Sequence, residues 1–467
     1  MDSELASWRS PDTYVDAVPP PRANVVDGMW LFKVKRPPGT PPVFKARYVA
    51  GGFKQHEGVD FFQTFALIPK MTTLRVLLHI AAQRNYELHS LDFSTAFLQG
   101  RLHEEIWLRH PPGFTNTFPP GTHLRRPFYG LRQSPCEWHD NLCSTLRDLG
   151  FRPSSADPSL FVRARSTPFF ILVYVDDLVF ATADTAALAK CYLGLQITRN
   201  RDARTITLTQ SHMVQQVLRR FEFQFSTTQP TPLAVDHRLI GPFPDEPFES
   251  SGPYVELVGC LMYLITCTRP DLAFPLSVLS RFVATGRHCP VHWTAAVRVV
   301  KYLVTTSGMG LVLGGTEPVE LTGHCDSSYA DDVEIQHSTQ AYCFNLGAGA
   351  VPWRSTRSSS LASSRDCGPS VDERVATRAR SFLLVASVVG VYVADQLQRL
   401  SSTAELQGGV TRVCEVGEAA VDLAPMLVTP HREAAAQLAA GKGDVRPCHR
   451  CRELQQADLR PVLLLLA

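Results

Sequence analysis

Three aspartates stand in segments that otherwise predict buried strands. Asp176 and Asp177 interrupt the apolar run 171–180, and Asp92 ends a second strand-like segment, 87–93. One interpretation is a hairpin turn with Asp-Asp at its tip by chance, because aspartate is common in turns. Burying such charges is costly unless a cation or another partner offsets it. Carboxylate oxygens are ligands that Mg²⁺ prefers, and two such ions can drive an in-line phosphoryl displacement, so three similarly placed acids favour a metal site.

The elements that must position these acids are helices and antiparallel strands. Apolar residues at helical spacing predict helices over 72–84 and 137–149, and each helix precedes a segment that carries the acids. Two apolar and basic strands, 30–35 and 43–50, flank a turn rich in proline and glycine and form a predicted hairpin. A further hairpin within 192–209 leads into another helix. The pattern is that of an α+β fold.

Length and composition narrow the class of protein. At 467 residues the chain is about three times the usual domain length, and its 45% apolar content is typical of globular proteins. A formal net charge of +2 excludes a polycation that holds nucleic acid by bulk charge, so any polyanion site must be local. With neither a secretory signal nor an apolar run of roughly 20 residues, the sequence predicts an intracellular protein, in the cytoplasm or nucleus and not secreted.

Three motifs, in this order along the chain, carry a family resemblance. LDFSTAF at 91–97, FYGLRQSP at 128–135 and YVDD at 174–177 look like successive polymerase motifs of reverse transcriptases. Segments 45–75 and 259–282 narrow the resemblance to copia-type retrotransposon polyproteins, and it extends over roughly residues 14–357. The resemblance implies an RNA-directed DNA polymerase with a right-hand palm and fingers around a central antiparallel sheet.

The resemblance also implies roles for named residues. Asp92 matches the first metal-binding acid, and Asp176 with Asp177 matches the catalytic acidic pair, which together would hold two Mg²⁺ ions, with Mn²⁺ as an alternative. Phe97 matches the aromatic that lies beneath the incoming sugar, although core packing is the other interpretation of its ring. The implied partners are deoxynucleoside triphosphates and an RNA or DNA template with a primer, without a membrane.

Three further residues match positions that bind the nucleotide. Gln133 matches the glutamine that contacts the incoming nucleotide, and its alternative is a solvated loop residue. Lys45 and Arg47 match basic residues of the fingers near the triphosphate, where ammonium and guanidinium donors suit phosphate oxygens. Their alternative is a solvated basic face of a strand.

Two departures from the family pattern keep a second hypothesis open. Gly51 stands where the family usually has a basic residue. The segment between Asp184 and Tyr192 is under two helical turns long, where the family has a full helix and a strand that lead to the primer grip. The chain is therefore either an active reverse transcriptase or a catalytically dead relic that at most binds nucleic acid.

The second half of the chain resembles an incomplete ribonuclease H-like α/β unit. Asp326 in HCDSSYADD matches the first catalytic acid, whereas Cys367 and Gly368-Pro369 stand where a helix with a catalytic glutamate should run. We therefore expect an inactive remnant, and we expect Asp332 to lie in a solvated loop. The predicted organisation is an extended lead-in (1–23), fingers and palm (24–228), a linker (229–253), the connection with the partial ribonuclease H-like domain (254–357) and a degenerate, poorly ordered tail (358–467).

Overall fold

The structure is a computed structural model, which describes residues 13–35, 41–93, 95–111, 121–163, 168–182, 191–234, 253–285, 288–317, 321–328 and 337–357, together with residues 4, 239 and 332. Its strands are β1 (Tyr14–Ala17), β2 (Val25–Val26), β3 (Gly28–Lys35), β4 (Val43–Ala50), β5 (Glu87–Asp92), β6 (Ile106–Leu108), β7 (Gly121–Leu124), β8 (Arg152–Pro153), β9 (Leu160–Arg163), β10 (Phe169–Tyr174), β11 (Asp177–Thr182), β12 (Cys191–Tyr192), β13 (Leu195–Asn200), β14 (Thr205–Thr209), β15 (Leu311–Gly314), β16 (Leu321–Ser328), β17 (Thr339–Leu346) and β18 (Gly349–Arg357). Its helices are α1 (Met71–Gln83), α2 (Ser134–Asp148), α3 (Ser211–Arg220), α4 (Tyr254–Cys267), α5 (Ala273–Thr285) and α6 (Pro290–Thr305).

A central antiparallel sheet, in the order β5-β11-β10-β9-β8, lies between two helices. Phe170 and Leu172 of β10 pack in the core that contains α1, whereas Ile171 and Val173 pack in the core that contains α2. Because successive side chains of a strand point to opposite faces, a helix on each face explains why the run is apolar without alternation. The predicted central antiparallel sheet is confirmed.

The hairpin of β3 and β4 packs against a second sheet, whose strand order is β1-β7-β6-β2. The predicted strands are confirmed, since β3 pairs with β4 from Gly28 opposite Ala50 to Lys35 opposite Val43. The base of the hairpin is fixed to the loop before α2, because the Ala50 N–H donates a hydrogen bond of 2.7 Å to the Tyr129 carbonyl. The fingers-like hairpin is thus anchored at one end, next to FYGLRQSP.

The later part of the chain packs directly on the palm. Helices α3 to α6 share one core, and β15, which follows them, pairs with β14 in the order β12-β13-β14-β15. Leu313 of β15 and Val351 of β18 are buried in the same core as α1. The three-stranded sheet β16-β17-β18 is antiparallel throughout. Residues assigned by sequence to two units therefore share a hydrophobic core.

One helix was not predicted, and one expectation is wrong. The sequence did not indicate α5, which follows a short 3-10 turn at Pro270–Leu272. Asp332 is not solvated: it is 7% exposed, and its carboxylate accepts hydrogen bonds from Arg281 and Arg357 at 2.9 and 2.8 Å. The two guanidinium groups offset the cost of burying that charge.

Several expectations lie outside the described residues. They concern the short segment after Asp184, the interrupted helix at Cys367 and Gly368-Pro369, and the tail 358–467. The domain boundaries stay predictions. Within the part of the chain that the structure describes, no helix is long and apolar enough to cross a membrane.

Candidate functional site

The three aspartates meet at one end of the central sheet. Asp177 begins β11 directly opposite Asp92, the last residue of β5, and Asp176 lies in the two-residue turn between β10 and β11. The backbone fixes this arrangement further, because the Phe93 N–H donates to the Asp176 carbonyl at 3.0 Å. Within the described ranges, no three histidine, cysteine, aspartate or glutamate side chains are already arranged as a metal cage. The strand register therefore brings the three aspartates to the same end of the sheet, but their side chains do not yet form a metal-binding geometry.

The electrostatics of this cluster favour a cation. Burial raises the pKa of Asp176, and the charge of Asp92 raises it further while Arg47 opposes the shift. Burial and the charges of Asp176 and Asp92 raise the pKa of Asp177 to about 6. Partly desolvated carboxylates that repel one another are stabilised by a hard divalent ion with oxygen ligands. The donor set thus fits Mg²⁺.

The turn that carries Asp176 has an unusual backbone. Val175 has a φ of 55°, in the left-handed region, which costs a β-branched residue about 1–3 kcal/mol. The Trp138 indole N–H on α2 donates a hydrogen bond of 2.7 Å to the Val175 carbonyl, and its fully buried ring lies edge-on to Phe93 at 5.0 Å. Sequence reasoning placed Trp138 on an apolar helix face only. The available signal was that a buried indole N–H needs an acceptor.

Phe97 and Arg47 come together on the ring of Tyr129. Phe97, in a 3-10 turn at Phe97–Gln99, lies edge-on to Tyr129 at 5.2 Å, and the Arg47 guanidinium lies 5.1 Å from the same ring. Burial is the main cause that raises the pKa of Tyr129, and the charges of Asp176 and Asp92 add to it. Tyr129 therefore links the fingers to the acidic end of the sheet. Sequence reasoning missed it within FYGLRQSP.

Lys45 lies two residues before Arg47 on β4, where both residues are exposed, and the alternation of strand side chains puts both on one face. Lys33 is its cross-strand neighbour. Like charges directly opposite one another are unfavourable, so this face is suited to an anion. A triphosphate contact for Lys45 and Arg47 stays a prediction.

Gln133 is fully buried at the start of α2, so the alternative of a solvated loop residue is wrong. Its side-chain oxygen accepts from Gln55 Nε2 at 2.9 Å, and its Nε2 donates to the Asp60 carbonyl at 2.8 Å. Both groups of the Gln133 amide thus form hydrogen bonds between the loop at residues 55–60 and the start of α2. A nucleotide contact for Gln133 stays a prediction, and it requires an exchange of these bonds.

Asp326 belongs to a different sheet. It lies on β16 opposite Ala341 and is exposed, and the structure does not bring it into the palm sheet with Asp92, Asp176 and Asp177.

Comparison with known proteins gives the family. Residues 12–191 match the family model described as reverse transcriptase (RNA-dependent DNA polymerase). The chain is 33% identical over 384 residues to the retrovirus-related Pol polyprotein from transposon TNT 1-94 of Nicotiana tabacum, which covers 76% of this chain and 29% of the polyprotein. It is also 32% identical over 296 residues to the putative transposon Ty5-1 protein of Saccharomyces cerevisiae, and that match covers 57% of this chain and 92% of the yeast protein. The chain belongs to the reverse transcriptases of copia-type transposons.

The chain spans less than a third of the tobacco polyprotein that it matches. Among solved structures, a foamy viral protease-reverse transcriptase in complex with double-stranded DNA is similar over 83% of this chain and 61% of that chain, with a TM-score of 0.42 and 11% identity. The reverse transcriptase family and the mixed α/β content agree with a polymerase-type fold.

Proposed function

We propose that this chain is the RNA-directed DNA polymerase of a copia-type retrotransposon, which adds deoxynucleotides to the 3′-hydroxyl of a primer on an RNA or DNA template. The observation that carries the proposal is the register of Asp92 opposite Asp177, with Asp176 in the adjoining turn. Two Mg²⁺ ions, or Mn²⁺, would supply activation of the primer hydroxyl and stabilisation of the leaving pyrophosphate. An intracellular location, in the cytoplasm or nucleus, belongs to the same proposal.

The chain's own residues would bind and orient the nucleotide. Lys45 and Arg47 contact the triphosphate from the exposed face of β4, where their charges have no acid directly across the hairpin. Phe97, held edge-on by Tyr129, lies beneath the sugar and clashes with a 2′-hydroxyl. Asp92, Asp176 and Asp177 would hold the ions, and because the pKa of Asp177 is raised to about 6, its carboxylate would accept a metal more readily above pH 6.

A relic that only binds nucleic acid is the second candidate, and Gly51 favours it. The Gly51 N–H donates to the Asp27 carbonyl at 2.6 Å, and a Cβ at this position would lie 3.1 Å from that oxygen. A Cβ would be tight here, so the local packing favours glycine over the basic side chain that the family usually has.

We further propose that the second unit is an inactive ribonuclease H-like remnant. The antiparallel order β16-β17-β18 supports a likeness to the first three strands of that fold, and Asp326 is the one catalytic acid that the sequence match supplies. Hydrolysis by two metals needs several converging carboxylates. Incubation with an RNA/DNA hybrid and Mg²⁺ or Mn²⁺ should give no cleavage, and cleavage that Asp326→Asn abolishes would overturn this assignment.

Primer extension by the purified chain tests the polymerase proposal. With a primed RNA template and Mg²⁺, the wild-type protein should extend the primer, and Asp176→Asn should reduce the rate by roughly a hundredfold or more, since it removes a charge that the ions need. Asp202→Asn, which changes an exposed acid outside the site, is the matched control and should leave the rate unchanged. A folded wild-type protein that binds the duplex but never extends it would instead establish the relic.

A further inference from the structure

A cavity of about 660 Å³ lies between the palm helix α1, helices α4 and α5, and strand β18. Four arginines line it, namely Arg75, Arg281, Arg354 and Arg357, together with serines and the aromatic rings of Tyr342 and Trp353. Its volume is within the range of small-molecule sites. It is formed by other elements than the acidic end of the central sheet, and the proposed polymerase mechanism does not use it.

Arg75 gives the wall of this cavity a fixed positive charge. The residue is 3% exposed, and its guanidinium donates to the carbonyl of Cys267 at 3.2 Å and to the carbonyls of Thr266 and Val351. The Trp353 ring lies 3.8 Å from the guanidinium carbon. No carboxylate pairs with Arg75 among the described residues. Burial lowers the pKa of Arg75 to about 9, so the group is still protonated at neutral pH.

Three more arginines and Ser355 line the cavity beside Arg75. Arg281 and Arg357 donate to the same carboxylate, that of Asp332. Arg354 is exposed and has no ion pair within the described ranges. Ser355 Oγ is buried and has no hydrogen-bond partner there. A lone buried charge and an unsatisfied hydroxyl are both stabilised by an anion that accepts hydrogen bonds.

We propose that this cavity binds the phosphate groups of a ligand. The planar guanidinium matches two phosphate oxygens at once, and serine hydroxyls complete such sites. Two sources supply the same chemistry: the backbone of a nucleic-acid strand and the phosphates of a free nucleotide. Binding of a nucleic-acid strand in this cavity rests on the polymerase function proposed above, whereas binding of a free nucleotide does not.

The test is equilibrium binding of anionic probes to the full chain. EDTA is present throughout, so that no divalent metal at Asp92, Asp176 and Asp177 contributes to binding. The probes are a primer–template duplex, ATP, inorganic tripolyphosphate and poly-glutamate. Arg354→Ala removes an exposed donor, Ser280→Glu places a carboxylate on the half-buried rim, and Arg219→Ala is the control, an exposed arginine on α3 outside the cavity. Thermal unfolding of each variant shows whether it has kept its fold.

We expect Arg354→Ala and Ser280→Glu to weaken at least one phosphate probe by roughly fivefold, and Arg219→Ala to leave it unchanged. If only the duplex is affected, the source is a strand, and the slope of log K against log salt should fall by about one for Arg354→Ala. If ATP and tripolyphosphate are also affected, the source is a free nucleotide. Equal affinities for all phosphate probes in every variant would overturn the proposal, as would an equal loss for poly-glutamate. Because catalysis is not measured, a failed primer extension does not bear on this result.

Discussion

At the scale of single residues, the ring of Phe97 can be a barrier to ribonucleotides or a packing element, and the two roles predict different data. If it is a barrier, Phe97→Ala should raise ribonucleotide incorporation relative to deoxyribonucleotide incorporation, because the clash with the 2′-hydroxyl is gone. The measurement is the ratio of the two kcat/KM values in primer extension.

Leu98→Ala is the matched control for Phe97. Leu98 is 7% exposed and packs in a separate core cluster with residues of the fingers. Its truncation should lower the free energy of unfolding by about 2–5 kcal/mol without changing the ratio. An unchanged ratio in a folded Phe97→Ala protein would remove the barrier role.

Trp138 positions the turn that carries Asp176, and its indole N–H can be removed on its own. Trp138→Phe should lower the free energy of unfolding by about 1–3 kcal/mol, because the Val175 carbonyl loses its donor and the left-handed φ of Val175 loses support. Primer extension should slow at the same time. Chemical denaturation and steady-state kinetics measure the two effects.

Adding Val175→Gly to this variant distinguishes a strained turn from general damage to the core. Glycine adopts a φ of 55° without the penalty of a β-branched residue, so the double variant should regain part of the lost stability. A further loss in the double variant would show that strain at Val175 is unimportant.

The sequence singles out the three acids that the sheet brings together, but it does not indicate the residues that support them. Asp92, Asp176 and Asp177 stand out because a charge within an apolar strand is locally anomalous. Trp138 and Tyr129 look like ordinary core residues, and their roles depend on contacts with residues 37 and 82 positions away along the chain, namely Val175 and Arg47. Gln133 gives a similar lesson, because its partners Gln55 and Asp60 lie 78 and 73 positions earlier in the chain.

At the scale of elements, two glycines allow the fingers hairpin to meet the loop before α2. A Cβ on Gly52 would lie 2.2 Å from the Gly130 carbonyl oxygen, and a Cβ on Gly130, whose φ is 91°, would lie 2.2 Å from the Ala50 carbonyl oxygen. Both contacts involve backbone, which cannot move aside as a flexible side chain can. Close approach of two chain segments requires both glycines, and the left-handed φ of Gly130 requires glycine there a second time.

Gly52→Ala should therefore lower the free energy of unfolding by about 2 kcal/mol or more and weaken nucleotide binding by the fingers. Gly259→Ala is the opposite control, since Gly259 lies on an exposed face of α4 with no atom within 4 Å of the added Cβ. That change should stabilise the protein by about 0.5–1 kcal/mol. Equal effects of both substitutions on the denaturation midpoint would contradict the close contact at Gly52.

Local pattern predicts most elements of the palm, because their signals are strong. The predicted helices over 72–84 and 137–149 correspond to α1 and α2 within a few residues. The partner of β15 was not predictable, since β14 lies about a hundred residues earlier and pairing between distant strands leaves no local signal. Asp332 was misjudged for the same reason, because its two arginine partners lie on α5 and β18.

At the scale of the whole molecule, His79 joins the palm helix to the later part of the chain. It is fully buried on α1, and its Nδ1 accepts a hydrogen bond of 3.0 Å from the Gly314 N–H at the end of β15. Burial lowers the pKa of His79 from 6.5 to about 4. The folded state thus favours the neutral ring, whereas the unfolded chain takes up a proton near pH 6.5.

The stability that His79 contributes should be fully present above pH 6.5 and should decline as the pH falls toward about 4. Over this window the loss amounts to as much as about 3 kcal/mol. His79→Asn keeps a hydrogen-bond acceptor and removes the titration, so its melting temperature should fall less than that of the wild type between pH 6.5 and 4. If the melting temperatures of the two proteins fall by the same amount between pH 6.5 and 4, His79 is not a source of acid sensitivity.

Because β15 lies about a hundred residues after its partner β14, shortened copies of the sequence lack it. Until Leu311–Gly314 is present, β14 has an open edge of unpaired backbone groups, and its fully buried Ile206 and Leu208 lack Leu311 and Leu313 as neighbours in their core. Open apolar edges pair with strands of other molecules. A copy cut short between Thr209 and Leu311 would therefore yield a fragment prone to aggregate, rather than a smaller polymerase.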